Sequence, residues 1–198
     1  MFINTNSLEN LTDSLVQSLR FNDPTVDYPE VEKAKEDDGV IAEWFYPIYA
    51  GSNDFSELSA IMIYTSQETK FEEAGELLLG IGMTEMKHYG KLAEFIRALG
   101  GIVKPHYNSG NINVGSSVLE ALQISLAGEE KTIKFYEDLT AKIEKVEETE
   151  TTIMALQFIA KLIADEKVHK ELLENKIKEL QPDVKVDEQA EDISDGKE

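Results

Sequence analysis

Cysteine is absent from the 198 residues. That excludes disulfide frameworks, thiol catalysis and every thiolate-bound zinc or iron–sulfur site. Positive charge is scarce: 19 Lys and Arg stand against 39 acids, for a net charge of -20. Phosphate backbones and anionic membranes repel such a chain, so neither nucleic acid nor a membrane is expected as a partner. No run approaches the ~18 apolar residues of a membrane span. The opening MFINTNSLEN shows no basic patch followed by an apolar stretch, so a signal peptide is not expected. The expectation is a cytoplasmic protein.

Hydrophobic residues make up 41% of the chain, enough for a real core. Residues 1–50 read as an N-terminal extension with breakers such as Asp23-Pro24 and short helices around 8–20 and 30–35. Trp44, Phe45, Tyr46, Ile48 and Tyr49 form an aromatic cluster expected to pack against the main core. Residues 51–181 carry long apolar repeats. From 183 on, seven acids and two lysines follow Pro182, so 182–198 reads as a solvated, mobile acidic tail.

The repeats have helical spacing. Leu77, Leu78, Ile81, Glu85, His88, Leu92 and Ile96 share one helix face, as do Ile159, Leu162, Glu166, His169, Leu173 and Ile177. Two further stretches carry Glu57-Ile61-Tyr64 and Leu122-Leu126-Glu129-Ile133-Tyr136. Nothing comparable alternates with period 2, so the class is all-α. Thr69 with Glu72 has the form of a capping box and predicts a helix starting near 70, closed by Gly100-Gly101. A third helix is predicted over 116–146, and a fourth from the acidic turn at 147–152 to Pro182. Four long helices point to a four-helix bundle. The connection 101–115 can span roughly 50 Å, more than the roughly 42 Å rise of a 28-residue helix. It can therefore cross the bundle, leaving the second and third helices parallel.

The chemistry lies in two Glu-x-x-His motifs, Glu85-Met-Lys-His88 and Glu166-Lys-Val-His169. On a helix the two side chains of each motif stand one turn apart on one face and can grasp one cation together. Both motifs lie on apolar stripes, where a carboxylate is costly unless paired or metal-bound. Glu57-x6-Tyr64 and Glu129-x6-Tyr136 supply matching patterns on the other two helices. The midpoints between Glu57 and Glu85, and between Glu129 and Glu166, fall in predicted turns, so the carboxylates of each hairpin share a level. Glu130 is rotated by about 100° from the stripe, which favours Glu129. Four carboxylates and two imidazoles suit two divalent iron or manganese ions bridged by carboxylates.

Residues 50–180 resemble the ferritin-like superfamily, defined by Glu on two helices and Glu-x-x-His on two others. YAGSNDFSELSAIMIY, GIGMTEMKHYGKLAEFIRALGG and IADEKVHKELL are most similar to its rubrerythrin and manganese-catalase branches. The resemblance implies a ferritin-like bundle with a long crossover. It implies Glu57 and Glu129 as terminal ligands, Glu85 and Glu166 as bridging ones, and His88 and His169 each capping one of two metals. Without cysteine a rubredoxin-type iron site is excluded. Tyr64 and Tyr136 are expected to hydrogen-bond ligand carboxylates. Tyr89 is read as core packing and His106 as an exposed loop histidine.

The leading expectation is a dimetal oxidoreductase acting on peroxide or dioxygen, with an unspecified electron donor and room for homo-oligomers. The metal centre then carries the reaction, and no side-chain nucleophile is needed. The alternative is an iron-oxidising or iron-storage protein, which requires a closed shell. A metal-free interaction bundle is a third reading.

Overall fold

The computed structural model describes residues 20–31, 39–51, 53–104 and 112–181. Five α-helices account for most of them: α1 (Gly39–Ala50), α2 (Glu57–Lys70), α3 (Gly75–Ala98), α4 (Val118–Ile143) and α5 (Glu150–Leu180). No strand occurs among the described residues. None of these helices is long and apolar enough to cross a membrane. The expected helix at 8–20, most of that at 30–35, His106 and the acidic tail lie outside the described residues.

Local chemistry sets the helix ends. Ser56, Ser117 and Thr149 cap α2, α4 and α5 by accepting from the backbone N–H three residues on. At α5 the cap is reciprocal, because Thr149 N–H also donates to Thr152 Oγ1 at 2.8 Å. α3 closes at Gly100, whose φ of 78° is open to glycine. Gly101 N–H reaches Ile96 O and Gly100 N–H reaches Arg97 O, a Schellman closure.

The expected cap at Thr69 is not one. Thr69 sits in the last turn of α2, where its hydroxyl donates back to the Thr65 and Ser66 carbonyls. The hydroxyl is satisfied inside α2, so the chain breaks later, at Phe71. It then passes through a 3-10 turn, Glu72–Ala74, into α3, which has no side-chain cap.

Cross-helix contacts establish the topology. α2 and α3 form one hairpin, α4 and α5 another. Between the hairpins, Tyr136 meets Glu57, Tyr64 meets Glu129, and Gln67 meets Ala121, so α2 and α4 run antiparallel. α3, antiparallel to α2, is therefore parallel to α4. The connection between them leaves Ile102 beside Tyr46 of α1 and delivers Gly115 to Lys70 at the far end of α2. The described ends of the connection thus sit at opposite ends of the bundle, as the crossover predicted from its length requires.

Two apolar clusters fill the ends. One joins Phe45, Ile48 and Tyr49 of α1 to Phe95, Ile96, Ile143, Phe158 and Leu162. The aromatic cluster is thus core, with Phe45 and Ile48 fully buried and Trp44 and Tyr46 packed at its edge. The other cluster gathers Phe21, Leu77, Leu78, Ile81, Leu122 and Leu173. Between them lies a polar band.

Candidate metal centre

That band is made by the stripes of four helices. Glu57 comes from α2, Glu85 and His88 from α3, Glu129 from α4, and Glu166 and His169 from α5; all six are buried. Their donor atoms form two groups, Glu57–Glu85–His88–Glu166 and Glu85–Glu129–Glu166–His169, each with its atoms within 4.8 Å of one another. Glu85 and Glu166 belong to both groups. Two adjacent positions sharing two carboxylates is the donor arrangement of a paired-cation site.

The imidazoles are oriented inward. His88 Nδ1 lies 3.3 Å from Glu85 Oε2 and 3.2 Å from Glu166 Oε1. His169 Nδ1 lies 2.9 Å from Glu85 Oε1 and 3.0 Å from Glu166 Oε2. Their outer nitrogens face acceptors: His88 Nε2 stands 3.2 Å from Asp165 Oδ2, and His169 Nε2 stands 3.0 Å from the Phe21 carbonyl. A carbonyl only accepts, so Nε2 of His169 carries the hydrogen. In the neutral ring this leaves the Nδ1 lone pair for the centre of the site.

Glu57 and Glu129, which belong to one group each, are held by the tyrosine of the opposite hairpin. Tyr136 donates to Glu57 Oε1 at 2.5 Å, and Tyr64 donates to Glu129 Oε1. By contrast, Glu85 Oε1 and Glu166 Oε1 are buried without a well-aligned hydrogen bond, and each meets only the inward Nδ1 of an imidazole, His169 at 2.9 Å and His88 at 3.2 Å. Those two atoms belong to the shared carboxylates. Buried carboxylate oxygens that face inward and meet only imidazole nitrogens fit a cation.

The electrostatics agree. Burial, then the charge of Glu85, pushes the Glu57 carboxyl well up. Burial, then Glu166 and Glu85, does the same to Glu129. Burial alone would depress His88 and His169. The surrounding acidic groups outweigh it, and both imidazoles are held protonated well above their usual range. Burial would raise Glu85, but His169 and His88 together keep it well below the carboxylate range. Protons thus neutralise the cluster where divalent ions could replace them.

Glu130 points away, pairing with Lys170 on the surface at 2.9 Å. Tyr89 stacks on Tyr49, ring centroids 4.4 Å apart, outside the ligand group.

Three participants escape the sequence reading. Asp165 accepts from His88, from Lys161 Nζ at 2.7 Å and from Asp23 N–H at 2.6 Å. Lys161 also donates to the Asp23 carbonyl. Lys161 and Asp165 are buried four residues apart on α5, each just before a stripe residue, and that spacing is the one available signal. The third is the Phe21 carbonyl, which leaves no side-chain trace. Through these contacts residues 21–23 lie over the histidine side of the site.

Comparison with known proteins adds a family. No curated protein is similar enough to the chain to count as a match. Residues 56–178 match the ferritin-like domain, a span that begins at the α2 cap and ends within the last turn of α5. With most of its length matched and its buried Glu/His groups compatible with metal ions, this chain belongs to the ferritin-like domain family.

Proposed function

We propose that the protein binds two divalent ions, iron or manganese, and acts as an oxidoreductase on peroxide or dioxygen. The observation that carries this reading is that Glu85 and Glu166 belong to both ligand groups and turn buried oxygens inward, without a well-aligned hydrogen bond, between the two imidazoles. Glu57 and His88 would complete one position, Glu129 and His169 the other. Such ions supply Lewis acidity and one-electron redox equivalents for cleaving or activating an O–O bond.

The protein's own groups do the rest. Tyr64 and Tyr136 fix the terminal carboxylates, and Asp165 and the Phe21 carbonyl fix the imidazoles. Residues 21–23 exclude water from the histidine side, so small molecules approach from the α2–α4 side. Net reduction of peroxide needs an external electron donor, whereas disproportionation needs none.

The test is elemental analysis of protein purified without added metal, combined with peroxide consumption by the iron- and manganese-loaded forms. Close to two ions per chain with metal-dependent consumption supports the reading. Many iron atoms accumulating per chain without consumption would replace it with storage.

A further inference from the structure

Glu85, Glu129 and Tyr64 line the inner end of a cavity of about 400 Å3 between α2 and α4. A water molecule's share of liquid volume is about 30 Å3, so a bare peroxide uses little of this space. The volume falls in the range of pockets that enclose whole organic ligands, roughly 300–1,000 Å3.

The wall chemistry is selective. Ala60 and Ile63 of α2 face Ile124, Ala127 and Gly128 of α4 across the cavity. Three hydroxyls also line it, but each donates its hydrogen to the protein. Ser59 donates to the Asn53 carbonyl, Ser125 to Gln67 Oε1, and Thr132 to the Phe55 carbonyl. Asn53 and Asn113 line it as well, Asn53 Nδ2 donating to the Pro47 carbonyl and Asn113 Oδ1 accepting from Gly115 N–H, and Ile112 adds to the apolar wall. Polar groups remain at the inner end, and the exposed Lys131–Asp54 ion pair marks the outer one.

We infer that this cavity seats the carbon body of an organic hydroperoxide, with its O–O bond directed at Glu85 and Glu129. The inference rests on the peroxide reading above and names its substrate class. In the step, the O–O bond of ROOH breaks and the hydroperoxide takes up two electrons and two protons, releasing ROH and water. The two electrons would be passed on by a metal pair held at Glu57, Glu85, His88, Glu129, Glu166 and His169 and would come from an external one-electron reductant, two equivalents per peroxide; the protons come from solvent.

Gly128 provides the test. A Cβ built there meets no heavy atom within 4 Å, and any other side chain except proline favours the helix over glycine. Gly128→Phe should therefore fill the cavity while the bundle still forms and takes up metal, with Gly128→Leu as a smaller plug. Metal-loaded full-length wild type and variants, with ascorbate as the one-electron reductant, are compared on cumene hydroperoxide and hydrogen peroxide. Binding of the product analogue 2-phenyl-2-propanol is measured by calorimetry. Wild type should bind the alcohol and consume both peroxides. The variants should keep their metal content and lose alcohol binding. Their rate with cumene hydroperoxide should fall at least about ten-fold further than that with hydrogen peroxide, the scale of a pocket-fit effect.

Equal slowing with both peroxides, or no slowing, overturns the inference. Wild type that consumes hydrogen peroxide but neither binds the alcohol nor consumes cumene hydroperoxide overturns it while leaving the peroxide reading intact. Wild type that binds the alcohol but consumes neither peroxide overturns both.

Discussion

The Nε2 of His169 and the main-chain oxygen of Phe21 lie 3.0 Å apart and 148 positions apart in sequence. The contact ties the helix that carries the buried Glu166 and His169 to a segment that precedes the bundle. A Cβ added at Gly80 of α3 would stand 2.1 Å from the buried Phe21 ring. Gly80→Ala must therefore push that ring away. The overpacking costs about 1–3 kcal/mol, partly offset by the better helix former, worth up to about 1 kcal/mol. A lowered Tm accompanied by weaker metal binding is the expected outcome, read by thermal melts and chelator competition.

Loss of metal should be visible in stability. An ion that binds only the folded chain, at a thousand times its Kd, adds about 4 kcal/mol. For a chain of this length that is roughly 8–16 °C in Tm. Melting with and without a strong chelator, followed by re-addition of iron or manganese, measures it. No shift would contradict the dimetal reading.

Single ligands should separate from their neighbours. His88→Ala or His169→Ala should fold and lose about 10- to 100-fold or more in metal affinity, since losing even an outer hydrogen-bond partner costs that much. Glu85→Ala and Glu166→Ala should be worse, because each carboxylate belongs to both groups. Glu130→Ala, which removes only the surface contact with Lys170, should leave metal content and Tm unchanged.

Asp165→Asn tests the outer contacts of the centre. The amide keeps the shape but loses the charge that Lys161 and His88 both meet. Metal affinity should fall about 10- to 100-fold, with Lys161 left as a buried cation whose partner is now neutral.

Tyr64→Phe and Tyr136→Phe each leave a buried glutamate without its donor. The cost in the metal-free protein should be about 1–3 kcal/mol apiece. Denaturant melts of the metal-free forms measure it.

The helical class, the parallel second and third helices and the gathering of Glu57, Glu85, His88, Glu129, Glu166 and His169 are legible because each follows from spacing along a stripe and from where the turns fall. Side-chain period and chain reach are properties that a sequence displays directly. The hydrogen-bond partners behind the ligands are harder to see. Asp165 is one acid in a chain of 39, and its role depends on Asp23 and Lys161 reaching it from elsewhere. The Phe21 carbonyl belongs to the backbone, which every residue has. Thr69 misleads because a hydroxyl in a last helical turn can bond backward as easily as it can cap forward. The helix α1 is legible only as an aromatic cluster, since Pro47 stands inside it and interrupts the helical pattern.

The crossed pairing of Tyr64 with Glu129 and Tyr136 with Glu57 means that each hairpin supplies the phenol that holds a buried carboxylate of the other. Sliding one hairpin along the other by a single turn, about 5.4 Å, would strand two buried acids and two phenols together. The four residues thus work as a paired latch, closed in one register and open in its neighbours. Misdocked bundles are penalised twice over before any ion arrives.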